Sequence, residues 1–600
     1  MKTKNAKEKN ETILELEYSL DNLPSAQHKT GLAGLVLLLE TMEEREMAPL
    51  PEYKENIDGT WTFQFTRKSF QAVFDELYDG ENIIVESPSK WSGASPIEIR
   101  EKEVEKNGKK KTERVFVYEI TVPKGSFFKG LFSEGPEGKK RLELWRDALW
   151  STYKGKPASR GVYSERVQNN PCSFVEKLWS SLIRKKGGIE DLAGSLLLGA
   201  EGFNAEGIPF KGLLHENVLL HFTPIACALF VVRNFMVKKG NRDNKGTYSV
   251  EWDENGYVFV MPEITKIKPY LGELRKWFQN DPEKETKSFR PSSSIIDLPE
   301  ESGLEFLSAI SGRRLETEGV FDRVEGVEYY HMTKKGNSVK LLSSSRIPVS
   351  VPILNEYNSI VSAGGRKKPL NFLYKTLRIR NLLNGTHWHV GMEGILETYP
   401  SEFFIWSREG SPRNIPFFGL DINKKFKEIA QKLYYIEQEA KEMEENGVNS
   451  NLIDHTERLA AKVRNIVRNF VISELKSRPK IKIPGGKTHL EQTKEDSFLA
   501  YPEDYLAELK KICTGAFLAL RGRSGTDIAE FFTGTLCAIP QFLKNDFKNE
   551  GKDDYLLMAK SLVDPKEREK IKLFAMLALS ACSYVYYPKE RQSQPEIETE

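Results

Sequence analysis

The chain has 600 residues and a mass of 68.6 kDa, too much for one compact core, so several ordinary domains or two large ones are expected. Its 88 Lys and Arg stand against 86 Asp and Glu, a net charge of +2, which excludes a nucleic-acid or membrane partner held by the field of the whole molecule. Wholesale disorder is excluded as well, because 39% of the residues are hydrophobic and 11% aromatic, enough to bury a large core.

The polar start, MKTKNAKEKNETILELEYSL, lacks the apolar segment of a secretory signal. From Thr12 an apolar run begins, and a polar turn at 21–26 leads into GLAGLVLLLETMEE, a helix starting near His28 whose leucines fill nearly every face. It is expected to be buried. The apolar runs Leu32 to Leu39 and Val218 to Val232 are too short, or too broken by His221 and Pro224, to span a bilayer. Between Gly59 and about Leu420 the texture is mixed. WTFQFT, RVFVYEITV and TYSVEWDENGYVFVM alternate like half-buried strands, the last with a hairpin turn expected at Asp253 to Gly256. Apolar spacings of three and four predict helices over Ser173 to Arg184, Pro269 to Asn280 and Leu304 to Ser311.

Near Asp421 the texture changes. Ile422, Phe426, Ile429, Leu433 and Ile436 step by four, three, four and three, and Gly447 stands where a helix would end. A second amphipathic helix carries Leu459, Val463, Ile466, Phe470 and Ser473 and stops at Pro479. Further helices are expected over Asp504 to Leu520, Asp527 to Leu543, Asp554 to Leu562 and Pro565 to Tyr584. The fold class is therefore α+β: a mixed body with several short sheets over 1–420, then an all-α bundle over 421–600.

Motifs for catalysis are sparse. GGKT at 485–488 lacks the earlier glycine of a phosphate loop, because Ile481 stands there. Ser524 in GRSGT breaks the nucleophile-elbow spacing and reads as a loop between helices. The five cysteines (Cys172, Cys227, Cys513, Cys537, Cys582) are scattered without a C-x-x-C pair, so neither a disulfide framework nor a thiolate zinc site is indicated, and a reducing cytoplasmic setting fits. His387 and His389 flank Trp388; on a strand they share one side, but no carboxylate or cysteine stands at a familiar ligand spacing, and a packing role is favoured over a metal. Asp454 before His455 fits a helix start. No metal or cofactor is expected.

Basic loops, by contrast, recur. They are Lys109, Lys110 and Lys111, with Lys106 and Arg114, at an expected hairpin tip; Lys238, Lys239, Asn241 and Arg242, with Asn244 and Lys245; Lys334, Lys335 and Asn337; and Arg366, Lys367 and Lys368, followed by Lys375, Arg378 and Arg380. Ammonium and guanidinium groups beside glycine and asparagine suit a phosphate backbone and groove edges, with plain solubility as the alternative. In the bundle Arg464 and Arg468, and Arg458 with Lys462, lie one turn apart beside the apolar stripe, where they can guide a single strand or salt-bridge to acids.

The run LPSAQHKTGLAGLVLLLETMEE from Leu23 to Glu44, followed by the WTFQFT strand and a helix at Lys68 to Leu77, resembles the opening of large subunits of type I CRISPR Cascade complexes, closest to the I-B group and its myxobacterial-type relatives. Gln27 to Gly34 is the most specific part, and the plan of an α+β body before a helical bundle agrees over most of the chain. The resemblance implies a non-catalytic, DNA- and RNA-binding subunit at the 5' end of a guide CRISPR RNA. It would read a protospacer-adjacent motif in double-stranded target DNA, help unwind it into an R-loop, hold the displaced single strand and recruit the helicase-nuclease. Its implied partners are the Cascade backbone and RNA-end-binding subunits and a small subunit, which the bundle resembles. In some I-B systems the bundle is also made separately, and Met392 or Met443 could begin such a product. From charge and loop context, the Lys-Lys-Gly-Asn loops and the Arg366 to Lys368 loop are the candidates for motif reading. The alternatives are a metal-dependent nuclease with divergent ligands, requiring His387 and His389, and a scaffold with merely solvated loops.

Overall fold

The computed structural model describes residues 12–106, 109–153, 161–184, 188–192, 197–198, 210–239, 248–279, 294–311, 323–335, 338–363, 366–367, 370–407, 411–412, 415–445, 454–478, 503–537 and 552–584. The chain divides into two compact units, Met1–Asn234 with Asp253–Asn358, and Phe235–Trp252 with Ser359–Glu600.

In the first unit, β1 (Leu14–Tyr18) buries every second residue, as the period of LELEY requires. α1 (Ala26–Glu44) begins at Ser25, whose hydroxyl accepts from the His28 N–H, and it is buried on all sides from Ala26 to Leu39 save half-buried Lys29. β2 (Glu52–Glu55) and β3 (Trp61–Phe65) complete a sheet of order β1-β3-β2, with β3 buried in the middle. α2 (Arg67–Leu77) starts with a reciprocal cap between Thr66 and Ser69. α1 lies against three short helical turns, Leu214–Asn217, Val218–His221 and Thr223–Ala226. The approach is so close that a Cβ on Gly31 or Gly34 would stand 2.2 Å from the carbonyl oxygen of Leu219 or Phe222.

A second sheet joins β4 (Gly80–Ser87), β5 (Glu98–Lys106) and β6 (Lys109–Pro123), antiparallel in the order β4-β6-β5. α3 (Pro136–Ser151), α4 (Gly161–Val167) and α5 (Ser173–Arg184) follow, the last over the residues expected from its periodicity. β7 (Ile189–Leu192) pairs with β8 (Phe210–Leu213). The largest sheet has the order β11-β9-β10-β12-β13. It comprises β9 (Ala228–Lys239), β10 (Tyr248–Ile264), β11 (Ile295–Ile296), β12 (Val324–Lys335) and β13 (Ser338–Pro348). α6 (Ile267–Gln279), α7 (Pro299–Ser311) and α8 (Val351–Val361) connect or follow these strands.

The turn expected at Asp253 to Gly256 does not form. β10 runs unbroken through it, and Gly256 takes φ +78° inside the strand. A side chain there would meet the Met332 carbonyl of β12 at 2.2 Å, while His331 Nε2 donates to the Asn255 carbonyl at 2.5 Å. Asn-Gly therefore serves close strand approach, a use of glycine that local turn signals do not separate from a hairpin.

In the second unit, two-residue strands β14 (Ser362–Ala363) and β15 (Arg366–Lys367) pair ahead of α9 (Phe372–Leu383), which Asn371 caps. α10 (Met392–Thr398) leads to α11 (Phe418–Glu445) and to α12 (His455–Lys476), capped by Asp454. α13 (Glu503–Arg521), α14 (Thr526–Phe531), α15 (Lys552–Val563) and α16 (Pro565–Cys582) complete it. Within the helix expected over Asp527 to Leu543, α14 passes into a π-helical turn at Phe532–Leu536, and residues 538–551 lie outside the described ones, as do Gly447, Pro479 and GGKT. α16 is buried on all faces from Ile571 to Cys582 and packs against α11, α12, α13 and α15. The core of this unit begins well before the change of texture near 420. Leu373, Tyr374, Met392, Leu396, Phe403 and Phe404 share it with the stripe of α11, and the last passage of the chain from the first unit to the second falls at 358/359.

Candidate nucleic-acid interface

The expected basic hairpin tips form on real strand pairs. β5 and β6 stay in register to their ends, Lys106 opposite Lys109, Lys110 opposite Glu105 and Lys111 opposite Val104. Lys334 and Lys335, both exposed, close the β12–β13 ladder opposite Val339 and Ser338, and Asn337 in the turn lies outside the described residues. Lys239 ends β9, next to Lys238, which ion-pairs with Glu251; both partners are about half exposed, so the pair adds little stability. Asn241 and Arg242 lie outside the described residues. Arg366 and Lys367 form β15 opposite Ala363 and Ser362, and Lys368 also lies outside the described residues.

Not every candidate faces solvent. Arg378 on α9 is 5% exposed and interacts with Tyr374, whereas Arg380, two residues on, is exposed. The periodicity of α9 turns the two arginines to different sides. On α12, Arg464 is half-buried, donates to Asn423 Oδ1 at 3.3 Å and stands over the Phe426 ring at 5.8 Å. Burial lowers its pKa from the ordinary arginine value. Arg468 is half-buried too.

His387 and His389 lie in the turn between α9 and α10, not on a strand, and they part company there. His387 is exposed, with Nδ1 3.5 Å from Asp454 Oδ2, while the same Asp454 caps α12 by accepting from the Thr456 N–H at 2.9 Å. His389 is buried against Phe574, and burial first, then His387 and Lys570, push its pKa down to about 4 against the raising effect of Asp454 and Glu567. Their rings stand 5.8 Å apart, and among the described residues no group of three or more His, Cys, Asp or Glu is placed to hold a metal ion. Ser524 lies in the turn between α13 and α14. The cysteines are all free thiols, four of them buried, and burial pushes Cys227 up to about 12 and Cys582 up to about 11. Among the described residues no helix is long and apolar enough to cross a membrane.

Sequence reading passed over Tyr434 and Tyr435, which stand 59% and 67% exposed on α11. The signal was available: Leu433 holds the inward position of the stripe, so both residues after it fall off the buried face.

Comparison with known families gives two matches. Residues 50–320 match the type I-B CRISPR Cas8b N-terminal domain, and residues 324–582 match the type I-B CRISPR Cas8b C-terminal domain. No curated protein matches the chain significantly.

Proposed function

The chain belongs to the type I-B CRISPR Cas8b family of large subunits, and on that premise we propose that it reads a protospacer-adjacent motif in duplex DNA, helps to open the duplex, and holds the displaced strand. It does so without catalysis, inside a complex with guide RNA, backbone and RNA-end-binding subunits and a small subunit, and it recruits the helicase-nuclease after the R-loop forms. Base pairing with the guide reads the long sequence, and the protein reads the short motif and the backbone. The pair of family matches carries this reading.

The hairpin tips give it a physical basis. The register sets Lys106 opposite Lys109, and like charges at facing positions of an antiparallel pair are unfavourable, a cost that a phosphate bound there would offset. Strand-borne tips with Lys109 to Lys111, Lys238 and Lys239, Lys334 and Lys335, and Arg366 and Lys367 are the motif-reading and wedge candidates. The α11–α12 pair, with Arg464 and Arg468, is the candidate for the displaced strand. A protein whose nucleic-acid contacts are local patches on a near-neutral chain loses affinity steeply with salt: four phosphates contacted on a single strand imply about a 50-fold loss between 50 and 200 mM.

The test is co-purification with the neighbouring gene products, then selection from short duplexes with randomised flanks at two salt concentrations. Enrichment of one short motif only by the guide-loaded complex, and its loss on changing Lys239, Arg366 and Lys367 to Ala, is the expected result. A chain that stays alone and shows no motif preference overturns the reading. Divalent-metal-dependent cleavage abolished by His387→Ala would replace it with the nuclease alternative.

A further inference from the structure

Tyr434 and Tyr435 are neighbours on α11, ring centroids 6.0 Å apart with planes at 70°. Tyrosines in a folded chain are usually half-buried, yet both of these present most of their surface to water, and Leu433 already fills the core position. Positions 424, 427, 431 and 434/435 recur at three and four, so exposed Lys424, Lys427 and Gln431 share one face with the tyrosines.

The neighbouring helix adds charge to the same element pair. Lys432 reaches Glu457 at 2.7 Å, and Arg464 reaches Asn423 at 3.3 Å, which fixes α11 and α12 antiparallel. Over 421–436 and 454–470 the two segments hold eight Lys and Arg against four Asp and Glu. Lys424 and Lys425 ion-pair with Glu428 and Lys432 with Glu457, and the excess of cations that remains beside exposed aromatic rings fits a polyanion whose bases offer π-faces. Stacking supplies affinity that every base can share, and the cations track the phosphates. After Tyr435 the sequence of α11 turns acidic, with Glu437, Glu439, Glu442, Glu444 and Glu445 against Lys441, so along the sequence the tyrosines stand where the excess of cations ends.

We propose that Tyr434 and Tyr435 form a stacking platform for unpaired bases of a single-stranded nucleic acid, whose phosphates are held by the cations of α11 and α12. The platform rests on the reading that this bundle holds the displaced strand, and it names the residues that hold the bases and the point at which the strand leaves the helix.

The experiment measures binding of the full chain to a labelled oligothymidylate and to an abasic oligomer of equal length, across a salt series. Variants are Y434A/Y435A and Y434F/Y435F, substitutions at exposed positions that leave the core intact. The expected result is a loss of at least about fivefold for the Ala pair on oligothymidylate, recovery by the Phe pair, an unchanged salt slope, and equal binding of wild type and the Ala pair to the abasic oligomer. If wild type binds oligothymidylate and the Ala pair binds it equally well, the platform is overturned while the displaced-strand reading stands. If wild type binds no single strand, in isolation or in the assembled complex, the reading itself fails. An Ala pair that keeps its oligonucleotide affinity but drops out of the complex reassigns this face to a protein partner and also overturns the proposal.

Discussion

Gln27 is 1% exposed, and its side-chain amide donates to the Leu198 carbonyl at 2.9 Å while accepting from the Leu198 N–H at 3.0 Å. Gln27→Ala leaves both buried backbone groups without that partner, so a loss of about 1–3 kcal/mol is expected, read as a lower urea midpoint of the first unit. An unchanged midpoint would mean that the amide is dispensable. Its neighbour His28 donates from Nε2 to Asn217 Oδ1 (3.5 Å) and, as a neutral ring, accepts at Nδ1 from the Ser25 hydroxyl (2.8 Å), and burial pushes its pKa down to about 4, as it does for His389 in the second unit. Both imidazoles are neutral in the folded protein, and the unfolded chain binds their protons first. Their contribution is therefore complete above pH 6.5 and is lost as pH falls from 6.5 toward 4, by about 2 kcal/mol each at pH 5. Urea midpoints at pH 7.5 and 5.0, with His389→Gln to separate the second unit, check this; a midpoint in the variant that falls as steeply as in wild type would refute the role of His389. Gln27 and His28 stood in the run that carried the resemblance, yet nothing in the sequence revealed that they act inside the fold, because their partners lie about 170 and 190 residues away.

α1 shows how an element can be legible while its packing is not. Its leucines on every face predicted burial correctly, and the start near His28 was off by two residues because the Ser25 cap precedes it. Helix propensity favours Ala over Gly by about 1 kcal/mol, so Gly31→Ala should stabilise an isolated helix. In the fold the added carbon would meet backbone that cannot move aside, at 2.2 Å from the Leu219 oxygen, so the sign reverses and a marked destabilisation is expected. Gly272 in α6 is the control: it is exposed with nothing within 4 Å, and Gly272→Ala should raise stability by up to about 1 kcal/mol. Thermal unfolding of the two variants side by side decides the matter. The Asn-Gly of β10 failed as a turn signal for a related reason, since glycine marks close backbone approach as readily as reversal.

At the scale of the molecule, the α+β plan and most helices of the bundle were readable from period alone, whereas the division into units was not. Residues 359–417 look mixed in sequence, yet Leu373, Tyr374, Trp388, Met392, Leu396 and Phe403 among them belong to the helical core. This bears on whether a separate bundle is made from an internal start. A product beginning at Met443 lacks Phe418, Ile422, Phe426, Ile429 and Leu433, five buried side chains worth about 7–15 kcal/mol together, as much as a whole domain's stability. One beginning at Met392 keeps them. A short C-terminal band that vanishes on Met392→Leu and persists on Met443→Leu is the expected pattern for any such product, and the reverse would count against it.

The outer ends of β9 and β10 have an implication for synthesis. Phe235 stacks on Phe372 at 4.9 Å, Trp252 meets the same ring at 5.5 Å, and Tyr248 meets Phe403 at 5.8 Å. About 150 residues separate Trp252 from Phe403, so at roughly 5–20 residues per second these rings leave the ribosome about 8–30 s before their last cover does. The first unit can close once residue 358 has emerged, but the second must keep an early hairpin waiting for a late core. Ribosome stalling between 252 and 403 thus strands an aromatic tip in water, and that interval is when the nascent chain most needs a chaperone.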